Sequence, residues 1–233
     1  MDTGARTAMI MGPLPMPIDS DLITLTQWLS PSFPVGAFAY SHGLEAAVAE
    51  GWVENGPELE AWLRDVLVAG SGRCDAVLLR LGAEAEAEAE AEGLGALNAL
   101  ALAYAPAAER RLEAERQGAA FARTVRAVWG LDLADAVLPV AVGAACGRQG
   151  VDVEMAVPLY LHAMVSNLVA AAQRLMPLGQ TEAQGVLAAL RGDIEAVAEA
   201  TQGASLVDLE SHAFLSDIAA MRHEGLEPRV FQS

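Results

Sequence analysis

Residues 56–69 read GPELEAWLRDVLVA, and the spacing inside that stretch decides the fold class. Leu59, Trp62, Leu63, Val66 and Leu67 fall at i, i+3, i+4, i+7 and i+8, one apolar stripe on a 3.6-residue period. Glu60 stands four residues before Arg64, a spacing that supports a helix surface. Gly56-Pro57 opens the segment with a residue whose missing N–H is not needed in a first turn. The rest of the chain agrees. It is rich in Ala, Leu, Glu and Arg, which favour helices, and 53% hydrophobic with only 5% aromatic residues. The expectation is an all-α, single-domain bundle of about ten helices.

Upstream, a helix is expected from Ser20 through Leu22, Leu25 and Leu29, stopping at Ser30-Pro31. Residues 1–18, with Pro13, Pro15 and Pro17, read as a flexible arm. Between Ser30 and Glu45 the chain reads SPSFPVGAFAYSHGLE. Pro31, Pro34 and Gly36 forbid a continuous helix there, while Phe33, Val35, Phe38 and Tyr40 are too apolar for a solvated loop. A buried or partner-facing turn is implied. Ser41 can cap a helix with Leu44, Ala47 and Val48 on one face and Gly51 as its stop.

Downstream, helices are expected near residues 73–81, 107–129, 135–147, 153–175, 179–199 and 205–224. In the second of these Leu112, Phe121, Val125 and Val128 should face inward, and Arg110, Glu113, Arg116, Arg123 and Arg126 outward. In the last, Leu206, Leu209, Ala213, Phe214, Ile218 and Met221 form the apolar side. The tract AEAEAEAEAE, residues 83–92, alternates like a strand but consists of poor strand formers, so it reads as an exposed acidic helix extension or linker. Residues 19–224 form one domain, and 225–233, which lack periodicity, a free tail.

Fourteen basic residues stand against 31 acidic ones, a net charge of −17, and every basic residue is an arginine. Such a field repels the phosphates of nucleic acid and of an anionic membrane surface, so neither is expected as a partner. The longest uninterrupted apolar run, residues 136–146, contains Pro139 and Gly143 and is too short to span a bilayer. Cys74 and Cys146 make no disulfide framework, which fits a reducing cytoplasm.

Catalytic patterns are missing as well. No HExxH, CxxC, EF-hand or nucleophile-elbow pattern occurs, and no GxxxxGK phosphate loop exists without lysine. The histidines stand singly. His162 reads as a core histidine bonded to a neighbouring helix, and His212 and His223 as helix-surface residues. Met155, Met164, Met176 and Met221 read as gap-fillers, and Trp52, Trp62 and Trp129 as core anchors. A binding or scaffolding role leads by elimination; a direct metal carrier and a helical small-molecule enzyme are the rival classes.

Three segments together resemble the urease accessory protein F (UreF) family. They are Leu25 to Val53, with Ser-Pro, Pro-Val-Gly, an aromatic before Ser-His-Gly-Leu-Glu, and Gly-Trp-Val; Glu109 to Arg123; and the closing helix with Asp217, Met221, Arg222, His223 and Glu224 leading to a tail ending in serine. Ala37 stands where the family commonly has a second glycine, Gln232 where it has arginine, and the Ala-Glu tract is foreign to the pattern.

The resemblance implies a helical chaperone of nickel-urease maturation with no reaction of its own. It implies a homodimer that binds a D-type (or H-type) accessory protein and a G-type GTPase, the complex docking on apo-urease to deliver nickel. Nickel and GTP then belong to the partners, and this chain holds no cofactor; direct nickel binding as a metallochaperone is the alternative. The resemblance points to Tyr40, Ser41, His42, Gly43 and Glu45, and to Arg222, His223, Glu224 and Arg229, as partner-binding residues. The tail is expected to order only on a partner, with Arg229 as its polar anchor, and His42 is not expected to hold nickel.

Overall fold

A computed structural model describes residues 20–87 and 91–233; the expected arm and the centre of the Ala-Glu tract lie outside these. The described residues form only helices and turns. In chain order the helices are α1 (Ser20–Trp28), α2 (Leu44–Ala49), α3 (Gly56–Ala69), α4 (Ser71–Ala87), α5 (Ala91–Ala103), α6 (Ala108–Trp129), α7 (Leu138–Gln149), α8 (Val153–Leu175), α9 (Gln180–Ala189), α10 (Arg191–Ala200) and α11 (Phe214–His223).

α3 forms where its periodicity places it. The Asn55 side chain accepts the Glu58 N–H at 3.0 Å, and Leu59, Trp62, Leu63, Val66 and Leu67 are all buried. α8 runs through the middle, touching α1, α2, α3, α4, α7, α9 and α10. By length and composition it is apolar enough to cross a membrane, a property the uninterrupted-run criterion does not register. Over half of its most apolar window (56%) is buried inside the protein, which accounts for that apolarity.

α4 and α7 make the closest pair. A Cβ added at Gly143 of α7 would run into the Leu79 carbonyl oxygen of α4, so only glycine lets the two axes approach this far. Arg80 of α4 is buried and ties three helices together. It pairs with Glu154 of α8, donates to the Ala198 carbonyl at 2.8 Å, and donates to the Thr201 hydroxyl at 3.3 Å, satisfying the end of α10.

The proline turn after α1 is buried as expected. Phe33 lies 5.4 Å from Phe121, and Trp28 meets Phe121 and Trp129 edge-on at 5.7 Å, which seats the turn on α6. Trp28 is the most enclosed of the four tryptophans, although the sequence points to Trp52, Trp62 and Trp129 as core anchors.

Several expectations change. The 179–199 segment breaks at Leu190 into α9 and α10, each burying its own short stripe. The 205–224 segment begins as a 3-10 turn, Leu206–Asp208, closed by reciprocal Ser205 and Asp208 bonds, and becomes α-helical only at Phe214. α4 carries on into the Ala-Glu tract, where Ala83 is buried and Glu86 pairs with Arg148, so this part is packed rather than a free extension. The face of α6 holds in part, with Phe121 and Val125 inward and Arg116 and Arg123 outward as expected, while that of α11 is turned around. In α6 Leu112 and Val128 are exposed and Glu113 is buried; in α11 Phe214, Ile218 and Met221 face out while Ala219, Ala220 and His223 face in. His162, expected in the core, is exposed.

Candidate functional site

The chain enters α2 through two left-handed residues, His42 (φ 57°) and Gly43 (φ 80°). A Cβ at Gly43 would lie 2.6 Å from the Ala220 backbone nitrogen, so this glycine sets how closely α2 crosses α11. The crossing aims two polar side chains at the C-terminal segment. The Ser41 hydroxyl accepts the Glu45 N–H at 3.3 Å, as a cap for the new helix, and donates to the Ser233 carbonyl at 2.5 Å. The Ser41 N–H reaches the same carbonyl at 2.8 Å. Glu45, also buried, accepts the N–H groups of Val230 at 2.6 Å and Phe231 at 2.8 Å.

From α11, His223 inserts between two carboxylates. Its Nδ1 is 2.6 Å from Glu109 and its Nε2 3.2 Å from Glu45. Glu109 also pairs with Arg229. The Glu224 carboxylate accepts the N–H groups of Ala108 at 2.7 Å and Glu109 at 3.3 Å, supplying the cap that α6 lacks from its own side chains. Arg174 donates to the Phe38 carbonyl at 2.6 Å, and its guanidinium stands 4.2 Å over the Phe231 ring.

Segment 225–233 is therefore no free tail. Phe231 and Ser233 are buried, and the Gln232 N–H donates to the Ala39 carbonyl at 2.9 Å. A short segment without helical periodicity can still dock, because Glu45 and Ser41 satisfy its backbone directly.

The node continues through Glu113, which pairs with Arg110 and accepts from His42 Nε2 at 2.8 Å, Gln117 at 2.8 Å and the Ser233 hydroxyl. Burial opposes the charge on Glu113, but Arg110 and His42 outweigh it and hold the carboxyl down at about 2. Burial, then Arg110, lower the His42 pKa. His42 is thus the neutral donor to an ionised Glu113, and its Nδ1 is buried without a partner. Beyond it lie two small cavities of about 120 Å³ and 80 Å³, which share His42, Asp75, Gln117, Leu138 and Tyr160 as walls. Burial pushes Asp75 up to about 6 against the opposing hydrogen bond from Tyr160, 2.8 Å long.

The thiol in the wall of the larger cavity, Cys74, is not poised as a nucleophile. Burial lifts the Cys74 thiol to about 12, and its sulfur donates to the Glu210 carbonyl. Among the described residues no group of three or more His, Cys, Asp or Glu is placed to hold a metal ion.

Of the residues singled out in the sequence, the structure gathers Ser41, His42, Gly43, Glu45, His223, Glu224 and Arg229 into one node. Tyr40 is buried beside it, in the wall of the smaller cavity. Arg222 stands apart, pairing with Glu50 and lying 5.1 Å over Trp52. His223, expected on the helix surface, is fully enclosed. Sequence reasoning missed Glu109, Glu113, Arg110 and Ser233. The i, i+4 spacing of Glu109 and Glu113 puts both acids on one helix face, and that was the available signal.

The model of the UreF family matches residues 53–191, more than half of the chain. The chain belongs to the UreF family. Urease accessory protein UreF of Cereibacter sphaeroides is 50% identical over 212 residues, covering 91% of this chain and 98% of that protein. Those of Roseobacter denitrificans (46% over 211 residues, 91% and 93%) and Rhodopseudomonas palustris (44% over 230 residues, 95% of each) are similar over comparable lengths. Both α2 and the docked tail of this UreF-family chain fall outside the stretch matched by the family model, whereas the α6 residues of the node, Glu109, Arg110 and Glu113, lie inside it.

Proposed function

We propose that this chain acts in the maturation of urease as an accessory scaffold without a reaction of its own. In that reading it forms a homodimer, binds a D-type (or H-type) accessory protein and a G-type GTPase in the cytoplasm, and joins the complex that delivers nickel to apo-urease. The observation that carries it is the similarity to named urease accessory proteins along almost their whole length. The node supports a scaffold reading in a specific way. Most residues singled out as partner-binding are buried and shape the surface from below, which leaves Arg229, Arg222 and Glu224 to meet a partner directly. Val230, the chain neighbour of Arg229, is 62% exposed, and Phe38, whose carbonyl Arg174 holds, is 75% exposed. Exposed arginine and exposed aromatic side chains are residue types enriched at interfaces.

Complementation tests the reading. A urease gene cluster without its own copy of this component should make active urease in nickel-containing medium once this chain is supplied, and persistently inactive apo-urease would count against it. Calorimetry of the isolated chain with nickel separates the metallochaperone alternative. The scaffold reading expects no tight stoichiometric binding, and His42→Ala should change nothing in that titration.

A further inference from the structure

We propose that His223 is the positioning residue that fastens segment 225–233 to the body of the protein, and that it does so as an imidazolium with a hydrogen on each ring nitrogen. The ring is fully enclosed and has a carboxylate oxygen at each nitrogen, Glu109 at Nδ1 and Glu45 at Nε2. Glu45 already accepts the Val230 and Phe231 N–H groups, and Glu109 already accepts from Arg229. Both therefore act as acceptors, and a carboxylate has no hydrogen to give. A neutral imidazole carries one N–H, so its other nitrogen would face an acceptor with nothing between them, inside the protein.

Charge counting agrees. Glu45 from α2 and Glu109 from α6 are the ionisable groups that face the ring. Arg229 of the tail shares Glu109. Farther along α6, Arg110 and His42 are taken up by Glu113. On the ring's own helix, Arg222 pairs with Glu50, and Glu224 caps α6. With His223 charged, two anions meet two cations. Without its second proton the cluster carries an uncompensated negative charge, and Glu45 and Glu109 lose the cation between them.

Docking of the tail is then proton-linked. It is complete while both ring nitrogens carry a hydrogen and weakens when either is lost. The docking stands on geometry alone; only its consequence for a partner rests on the proposed function.

Nuclear magnetic resonance on the full ¹⁵N-labelled chain tests this without any partner. The His223 ring nitrogens are followed across pH together with the amides of Val230, Phe231 and Ser233. The expected result is two protonated ring nitrogens whenever the tail amides are dispersed, and a shift of those amides toward random-coil positions with the same midpoint as loss of the second ring proton. His223→Gln should show the released tail at every pH. A ring with one hydrogen beside a docked tail, or tail amides that stay in place through the titration of the ring, would overturn the proposal. If His223→Gln does not fold, the wild-type titration decides alone. Complementation reads a different property, so failure of one experiment is not failure of the other.

Discussion

Gly43 bears two constraints that Gly36 separates. Both have positive φ, 80° and 77°, but a Cβ at Gly36 meets nothing within 4 Å while one at Gly43 strikes the backbone of α11. Gly36→Ala should cost only the left-handed strain, about 1 to 2 kcal/mol. Gly43→Ala adds overpacking against backbone and should cost roughly 2 kcal/mol more. Denaturant midpoints of the two variants measure the difference, and equal losses would contradict the close crossing. Asp75 and Glu113 make opposite predictions about pH. Glu113, held at about 2, contributes stability that is complete above its ordinary value of 4.5 and lost as pH falls toward 2. Asp75, raised from 3.8 to about 6, works the other way: its contribution is complete below 3.8 and lost as pH rises through 6, about 3 kcal/mol in all. Asp75→Asn should therefore match the wild type near pH 4 and exceed it above pH 7, as read by unfolding at both values; an equal gain at both pH values would exclude titration as the cause.

At the scale of elements, the sequence made α3 and α8 legible because each buries one continuous stripe that local spacing reveals. The buried Glu113 of α6 and the turned face of α11 show where that stops. Periodicity says which residues share a face, not which face meets the core, and α6 and α11 bury charged residues against each other. Glu113 and His223 are tolerable inside because Arg110, Glu45 and Glu109 compensate them, and for His223 those partners lie more than 100 residues away. The tail was illegible for the same reason, since the groups that receive it come from α2 and α6. The small-residue pairing of α4 and α7 gives a prediction at this scale. Gly143→Ala should destabilise by roughly 2 kcal/mol, because the collision is with a carbonyl of the facing helix. Gly185→Ala, on the open face of α9 with nothing within 4 Å, should instead stabilise by up to about 1 kcal/mol through helix propensity. Thermal unfolding of the pair should move in opposite directions.

Over the whole molecule, the net charge of −17 says less than its placement. Five of the acidic residues lie in the Ala-Glu tract, whereas Glu45, Glu109 and Glu113 hold the C-terminal segment in place. The tail is thereby joined to α2, α6 and α11, and its arginine is presented with 41% of the side chain uncovered. An exposed ion pair of this kind contributes about 1 kcal/mol or less to folding, so Arg229→Ala should leave the isolated chain folded. The most direct measurement is co-purification of the assembled accessory complex with wild-type chain and with Arg229→Ala, alongside an unfolding curve for each. The variant should unfold within about 1 kcal/mol of wild type, still retain the D-type (or H-type) partner, and lose the GTPase. Recovery of the GTPase at wild-type yield with Arg229→Ala would contradict it.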